Sequence, residues 1–321
     1  MTDAATVGRA VDVLRSGALV AFPTETVYGL GADARNADAL ARLYAVKGRP
    51  AAHPVIVHLA GAAQLEDWAR DVSPVTRALA AAFWPGPLTL VVPRAAGVLD
   101  QVTGGADPVG LRVPNQPVAL ELLAAFGDGL AAPSANRFGR VSPTTAADVR
   151  ADLGDDVAIV LDGGTCRVGV ESTIVDCSRD DVRILRPGAI TRDELEAVVQ
   201  QPLGHDAGTV PAPGSLKSHY APAATVLLVP AHALGARARE LLDAGHSVAV
   251  LALRDQTDDV ARVTMLDSPR DVDEYARVLY SRLREVDARR IDVLLVVPPP
   301  EHGIGIAVAD RLRRAAGRGR A

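Results

Sequence analysis

Apolar residues in the first two hundred positions recur at spacings that alternate between those of helices and those of strands. Val7, Ala10, Val11 and Leu14 follow the helical period, and the apolar run 18–22 is typical of a buried strand. Similar runs predict strands at 55–59, 88–92, 109–113, 157–161, 170–175 and 183–186, with helices between most of them. This alternation predicts an α/β fold, in which ligands bind at the carboxyl ends of strands.

The same kind of pattern restarts at Thr225. Strands are predicted at 225–229, 247–253 and 291–297, with helices at 233–244, from the Ser268-Pro269 cap onward, and at 303–316. Strands that alternate with helices predict a small parallel-sheet, Rossmann-like domain. Gly303 and Gly305 lack the rest of a dinucleotide-binding fingerprint, so no cofactor is expected there.

Residues 202–222 separate the two patterns and are rich in Pro and Gly, which predicts a linker. The segment also contains Lys217, His219 and Tyr220, which a simple spacer does not need. We therefore expect a first domain at 1–201, a linker at 202–222 whose polar and aromatic residues cover a site, and a C-terminal α/β domain at 223–321.

Composition narrows the class of protein. A chain of 321 residues has room for two domains, and its net charge of −5 argues against a protein that coats nucleic acid. No apolar run reaches the length of a membrane span and no signal peptide is evident, so we expect a cytoplasmic protein that binds no membrane. Cys166 and Cys177 lack metal-binding spacing and are interpreted as reduced core residues.

Several polar residues fall where predicted elements end. Residues 24–28 follow the first strand, Lys47 and Arg49 close a helix, and His58 lies in the next strand. Lys47 and Arg49 can equally compensate the helix dipole, and His58 can be a structural sheet histidine. Arg112, inside a short apolar strand, needs an anionic partner from the protein or from a ligand. Together these positions predict a site for an anionic small molecule.

Two later stretches favour phosphate binding. Small residues lead into a Ser134-x-Asn136 turn, where successive N–H groups can cradle phosphate oxygens. Ser142 and Pro143 are expected to cap the next helix, whose N-terminus is a second candidate phosphate site. Lysine occurs only at positions 47 and 217, all other basic residues being Arg, which suggests that Lys47 is chemically required.

Taken together, these motifs resemble the YrdC-type domain. The linker segment 213–222 resembles the long, two-domain form of the threonylcarbamoyl-AMP synthase family, and residues 303–316 are similar to its C-terminal domain. The motifs are Pro23-Thr-Glu-Thr-Val-Tyr-Gly-Leu, Lys47-Gly-Arg-Pro, Val55-Ile-Val-His, Trp84-Pro-Gly-Pro-Leu-Thr, Pro133-Ser-Ala-Asn, Gly169-Val-Glu-Ser-Thr and Leu185-Arg-Pro-Gly. The resemblance implies a YrdC-like twisted mixed sheet with flanking helices, followed by the small parallel-sheet domain.

The resemblance also implies an activity. Members of the family are nucleotidyltransferases that make L-threonylcarbamoyladenylate from L-threonine, bicarbonate and ATP, releasing pyrophosphate, with Mg²⁺ accompanying the ATP. The product is passed to a tRNA threonylcarbamoyl transferase complex, which modifies the adenosine next to the anticodon. No stable nucleic-acid binding by the chain itself and no protein-bound metal site are expected.

Site residues follow from the same resemblance. Lys47 and Arg49 are expected to be catalytic, stabilising charge on the leaving pyrophosphate. The threonine pocket is expected to comprise Thr26, His58, Arg112, the Ala132 backbone and Ser172. The ATP pocket is expected to comprise Arg49, His53, Ser134, Asn136, Ser142, Arg186 and, from the linker, Tyr220.

The chain departs from the family pattern at a few positions. His53 replaces a common Asn, Val55 a usual Leu, Gln116 a common His, and Ser215-Leu216 a Met-containing pair. No general base can be named from the sequence, since Glu25 and Glu171 are candidates that can equally be structural.

Two other functions fit parts of the sequence. The YrdC-like domain can be an RNA-binding module, which tRNA binding without ATP or pyrophosphate release would favour. It can also serve carbamoyl transfer in hydrogenase maturation, where it occurs in larger proteins with cysteine-rich zinc motifs. Two isolated cysteines and 321 residues argue against that second alternative.

Overall fold

The computed structural model describes residues 2–205, 220–256 and 263–317. The chain forms two compact units: residues 1–138, 142–167 and 171–215 make the first, and residues 139–141, 168–170 and 216–321 make the second. Most of the predicted linker, residues 206–219, lies outside the described residues, and so do Lys217 and His219.

Several helices of the first unit begin and end where the sequence supplies caps. Asp3 accepts the N–H of Thr6 at 2.8 Å, and Asn36 caps the second helix, which ends at Gly48 in the left-handed conformation (φ 62°). The helices are α1 (Ala4–Arg15), α2 (Ala37–Lys47), α3 (Leu65–Trp68), α4 (Pro74–Phe83), α5 (Asp100–Thr103), α6 (Pro117–Phe126), α7 (Ala146–Leu153) and α8 (Arg192–Val199).

A ten-stranded sheet runs through the first unit. Its strands are β1 (Val20–Phe22), β2 (Gly29–Asp33), β3 (Ile56–His58), β4 (Leu88–Pro93), β5 (Pro108–Arg112), β6 (Leu130–Ala131), β7 (Ile159–Val160), β8 (Thr173–Asp176), β9 (Arg183–Arg186) and β10 (Gly204–His205). Their order is β10-β9-β8-β4-β5-β3-β6-β2-β1-β7. Because β3–β5 and β4–β8 are parallel whereas β1–β2 and β4–β5 are antiparallel, the predicted mixed sheet is confirmed.

Both faces of this sheet are covered. Alternate residues of β1 enter different apolar clusters: Ala21 packs in one with Leu40 and Trp68, whereas Val20 and Phe22 pack in another with residues of α1 and α6. Since successive strand residues point to opposite faces, the sheet is sandwiched between two apolar layers. Cys166 and Cys177 are free and buried, as expected.

The second unit contains a four-stranded sheet that is parallel throughout. Its strands are β11 (Thr225–Leu228), β12 (Val248–Leu251), β13 (Thr264–Met265) and β14 (Val293–Val296), in the order β11-β14-β12-β13. Its helices are α9 (Leu234–Asp243), α10 (Val272–Ala288) and α11 (Gly305–Ala316). The predicted small parallel-sheet domain is therefore confirmed.

Two local predictions are wrong, and β2 was not predicted. Ser142 does not cap a helix, because α7 begins four residues later behind a capping box between Thr145 and Asp148. Likewise, α10 is capped by Asp271 rather than by the Ser268-Pro269 pair. Among the described residues, no helix combines the length and the apolar character that crossing a bilayer requires.

Candidate active site

Parallel strands β3 and β5 place His58 and Arg112 side by side. The two residues are register partners, and only 3% and 4% of their surfaces are exposed. Burial, and after it the positive charge of Arg112, lowers the pKa of His58 to about 3. The imidazole is therefore neutral at physiological pH, where it can donate one hydrogen bond and accept another. Its ring edge packs on Phe22 at a centroid distance of 5.8 Å.

Arg112 has the anionic partner that its burial requires. Its Nη2 lies 2.8 Å from Oε1 of Glu25, whose side chain is 2% exposed. The pair is an ion pair, although its atoms are not aligned as a hydrogen bond. Nε of Arg112 donates to the carbonyl of Gly86 at 3.3 Å. The sequence predicted the need for an anion but not that Glu25 meets it.

The turn after β1 fixes Thr26. Thr24 Oγ1 donates to the carbonyl of Val27 at 2.6 Å and lies 2.8 Å from Oγ1 of Thr26. Because a hydroxyl has one proton, Thr26 must be the donor between the two hydroxyls. Across the sheet, the N–H of Ala132 donates to the carbonyl of Ile56 at 2.9 Å, which holds that backbone beside β3.

Ser172 lies just before β8 and is held from two sides. Its Oγ is 2.8 Å from Oγ1 of Thr89 and accepts a hydrogen bond from Nη2 of Arg186 at 3.0 Å. Arg186 also donates to the Ser172 carbonyl through Nη2 at 2.9 Å and Nε at 3.1 Å. Arg186, which was expected to bind ATP, thus directly contacts Ser172, which was expected to bind threonine. Thr89 was missed, although it belongs to one of the motifs.

Lys47 ends α2 with its ammonium group buried. Nζ donates to the carbonyls of Ser134 at 2.5 Å and Asn136 at 2.6 Å, and the N–H of Phe138 donates to the Lys47 carbonyl at 2.8 Å. Burial, and then the charge of Arg49, lowers the pKa of Lys47 well below its usual value. Lys47 therefore fastens the 134–138 segment to α2. An ammonium has three donors, and these two carbonyls use two of them.

Arg49 and His53 flank the ring of Phe138. The guanidinium lies 5.6 Å from the ring centroid, and the imidazole meets the ring edge at 5.6 Å. Nη2 of Arg49 donates to the carbonyl of Pro54 at 2.8 Å. Partial burial, and then Arg49, lowers the pKa of His53. Phe138 was not predicted as a site residue, because it belongs to none of the motifs.

The turn that carries Ser134 and Asn136 is closed by its own hydrogen bonds. The N–H of Ala135 donates to the carbonyl of Tyr28 at 2.8 Å, and that of Asn136 to the carbonyl of Ser134 at 2.9 Å. Nδ2 of Asn136 donates to the carbonyl of Arg137 at 2.8 Å. These two N–H groups, expected to cradle phosphate, are thus already paired, and Asn136 holds the turn.

Ser142 is fully buried and bonded to an acidic side chain. Its Oγ donates to Oε1 of Glu171 at 2.7 Å. Since the hydroxyl proton points to Glu171, Ser142 is left as a hydrogen-bond acceptor towards any other group. Gln116, the departure from the family's His, accepts the N–H of Ala119 at 3.0 Å and caps α6.

Tyr220 lies in the second unit, where it is 1% exposed. Its ring stacks on Tyr280 at a centroid distance of 5.6 Å, and Arg311 lies 5.7 Å from its centroid. The residue adopts φ 60°, and the next N–H, of Ala221, donates to the carbonyl of Gly139 at 3.2 Å. The expected contact of Tyr220 with ATP stays a prediction.

Several of the predicted residues of the first unit are connected, in part through Glu25 and Thr89, which were not predicted as substrate-binding residues. Glu25, His58 and Arg112 make one, and Thr89, Ser172 and Arg186 another. Lys47 is linked to the Ser134–Asn136 turn. Across residues 2–205, 220–256 and 263–317, no set of three or more His, Cys, Asp and Glu side chains is placed to hold a metal ion.

Comparison with known proteins agrees with these motifs. Residues 12–188 match a family model described as "Telomere recombination", and residues 190–317 match "Threonylcarbamoyl-AMP synthase, C-terminal domain". The chain is 40% identical to threonylcarbamoyl-AMP synthase of Pyrococcus abyssi, covering 96% of this chain and 93% of that protein. It is 38% identical to the Bacillus subtilis protein of the same name, with 97% and 93% covered.

A solved structure covers the same length. The crystal structure of P. abyssi Sua5 complexed with L-threonine superposes with a TM-score of 0.91 at 39% identity, and the match covers 97% of this chain and 94% of that one. Both units of the chain therefore have counterparts in one relative. The chain belongs to the threonylcarbamoyl-AMP synthase family.

Proposed function

We propose that the chain catalyses the synthesis of L-threonylcarbamoyladenylate from L-threonine, bicarbonate and ATP, with release of pyrophosphate. The observation that carries this proposal is the direct bond between Arg186 and Ser172. Arg186, expected to bind the nucleotide, donates this hydrogen bond to the hydroxyl of Ser172, expected to bind threonine. The two substrates would therefore meet at this contact. A reaction that joins the substrates at such a boundary gains from positioning rather than from a covalent enzyme intermediate.

Threonine recognition rests on the group around Arg112. The buried guanidinium is suited to hold the carboxylate of an amino acid, because a charge-assisted bond is strong where water is excluded. Neutral His58 and the hydroxyls of Thr26 and Ser172 complete a polar lining. Within this lining, a hydroxyl of the ligand can find both donors and acceptors.

The basic groups at the end of α2 are suited to stabilise negative charge on the phosphates. When the carbamate oxygen attacks the α-phosphorus, negative charge grows on the departing pyrophosphate. Lys47 has one N–H donor beyond the two that fasten the turn, and Arg49 is held beside it by the Pro54 carbonyl. Donors that are already in place stabilise such charge without reorganisation.

We further propose that Mg²⁺ enters with ATP and neutralises phosphate charge. The residues present fit such an ion, because Glu171 and Ser142 offer a buried carboxylate and a hydroxyl oxygen. Mg²⁺ is typically bound by one or two carboxylates together with substrate phosphates, so a separate protein cage is not required. Transfer of the product to a tRNA threonylcarbamoyl transferase complex in the cytoplasm completes the proposal.

The test is pyrophosphate release from ATP, measured with and without L-threonine and with and without bicarbonate. We expect release only when all three substrates are present. ATP turnover that ignores threonine would refute the proposal. Binding of tRNA without any pyrophosphate release would instead favour an RNA-binding module.

A further inference from the structure

Glu25 is a buried carboxylate whose hydrogen-bonding capacity is unused. Its side chain is 2% exposed, and neither oxygen accepts a hydrogen bond from the residues that the structure describes. The ion pair with Arg112, at 2.8 Å from Nη2 to Oε1, is its one close charged contact there. Neighbouring Thr24 and Thr26 donate to other acceptors.

Burying such a carboxylate is unfavourable in free energy. An ionised carboxylate can accept about four hydrogen bonds, and burying it without them carries a large desolvation penalty. An ion pair without hydrogen-bond alignment recovers only part of that penalty. The carboxylate therefore has lone pairs available to a donor that reaches a site next to Arg112.

Threonine supplies that donor. The amino acid is a zwitterion whose carboxylate and ammonium groups are attached to the same carbon. Arg112 and Glu25 form the complementary pair, a buried cation next to a buried anion. If Arg112 holds the carboxylate, the ammonium attached to the neighbouring carbon lies within reach of Glu25.

We propose that Glu25 binds the α-ammonium of threonine and then accepts its proton. This inference rests on the proposed function and adds to it the group that selects an α-amino acid. The ammonium nitrogen has no electron pair to form a bond. Once one N–H proton moves to a Glu25 oxygen, the nitrogen keeps the pair that attacks the carbon of bicarbonate. The hydroxyl of bicarbonate then leaves as water with a second proton from the nitrogen, which gives the carbamate.

The surroundings suit this role. Among the described residues, the charged and titratable groups around Glu25 include Arg112, the neutral imidazole of His58 beside Arg112, and the thiol of Cys166, whose pKa burial and then Glu25 itself raise. Glu25 also lines a cavity of about 540 Å³ together with Gln116 and Gly163. Asp162 and Arg167 line the same cavity as Glu25. Loss of the proton to solvent after the product has left regenerates the Glu25 carboxylate.

The test compares threonine with its α-hydroxy analogue, 2,3-dihydroxybutanoate, which keeps the carboxylate, the β-hydroxyl and the methyl group but replaces the ammonium by a hydroxyl. Binding of each ligand is measured by calorimetry for the wild type, Glu25→Gln, and Glu121→Gln as the control, since Glu121 is exposed on α6. We expect Glu25→Gln to lose about 10- to 100-fold in threonine affinity, the range of one charge-assisted bond, and to bind the analogue unchanged. Glu121→Gln should match the wild type.

Several results would overturn the inference. Equal losses for both ligands would mean that Glu25 only holds Arg112 in place, and an unchanged threonine affinity would exclude any role. If Glu25→Gln does not fold, the wild type alone still decides, because equal binding of threonine and analogue contradicts an ammonium acceptor. A wild type that binds no threonine at all would instead refute the proposed function.

A pH profile separates binding from proton transfer. In Glu25→Gln no carboxylate takes the proton, so pyrophosphate release at saturating threonine should rise with pH as the free amine forms in solution. Glu25→Asp, which keeps the acid on a shorter side chain, should retain the wild-type profile at a lower rate. Parallel profiles for Glu25→Gln and the wild type would exclude proton transfer to Glu25.

Discussion

Replacing Lys47 by Met is expected to weaken the fold and to remove most of the activity. The substitution keeps the aliphatic chain but deletes the ammonium that bonds the carbonyls of Ser134 and Asn136. Each hydrogen bond from a charged donor contributes about 1.5–3 kcal/mol. Removing a buried charge offsets part of this, which leaves a net loss of about 2–4 kcal/mol in the free energy of unfolding.

Thermal unfolding measures that loss. For a unit of this size, about 1 kcal/mol lowers Tm by about 2–4 °C, so a fall of about 5–15 °C is expected. The fold should nevertheless persist, because domains have about 5–15 kcal/mol of stability. Arg42→Met is the matched control, since Arg42 is exposed on the same helix; its Tm should stay close to that of the wild type.

Activity tests the second role of Lys47. Loss of a donor to the leaving pyrophosphate should lower the rate of threonine-dependent pyrophosphate release by about 100- to 1000-fold. A Lys47→Met protein with wild-type Tm and wild-type release would refute both roles. A lower Tm with an unchanged rate would leave Lys47 with a structural role alone.

Three further predictions concern other residues of the candidate site and the second unit. Thr89→Val removes one hydroxyl bond to Ser172, worth about 1 kcal/mol, and should raise the KM for threonine about three- to tenfold with little change in kcat; an unchanged KM would contradict the contact. His58→Gln should abolish a loss of stability on acidification between pH 6.5 and about 3, because the lowered pKa makes the unfolded chain bind more protons in that window; equal slopes in urea titrations would contradict this. Tyr220→Ala should cost the second unit about 3–5 kcal/mol and Tyr220→Phe far less, as measured by urea unfolding; equal costs would refute a packing role.

The overall fold was predictable because most elements carry a strong local pattern. The apolar stripe of α1 and the apolar runs of β4 and β12 are sufficient to predict these elements without tertiary information. By contrast, β2 contains two glycines and follows a polar turn, so no period marks it. Strands of two residues, such as β6 and β13, are set by their neighbours in the sheet rather than by their own sequence.

The sequence supplied candidate residues for the site, and their assignment to threonine or ATP stays a prediction; their partners in the fold were not predictable. An Arg inside a short apolar strand indicates that an anionic partner is needed, but the sequence around Arg112 does not reveal that the partner is Glu25. Thr89 and Ser172 are 83 residues apart, and their bond depends on the parallel pairing of β4 with β8. Such contacts are fixed by topology, which local sequence patterns do not reveal.

Direct identification of the product tests the central claim most sharply. The purified chain is incubated with ATP, Mg²⁺, L-threonine and ¹³C-labelled bicarbonate, and the nucleotide products are resolved by mass spectrometry. We predict a threonylcarbamoyl adenylate that carries the ¹³C label and is formed together with pyrophosphate. Formation of AMP and pyrophosphate at the same rate without threonine, with no labelled adenylate, would contradict the assignment.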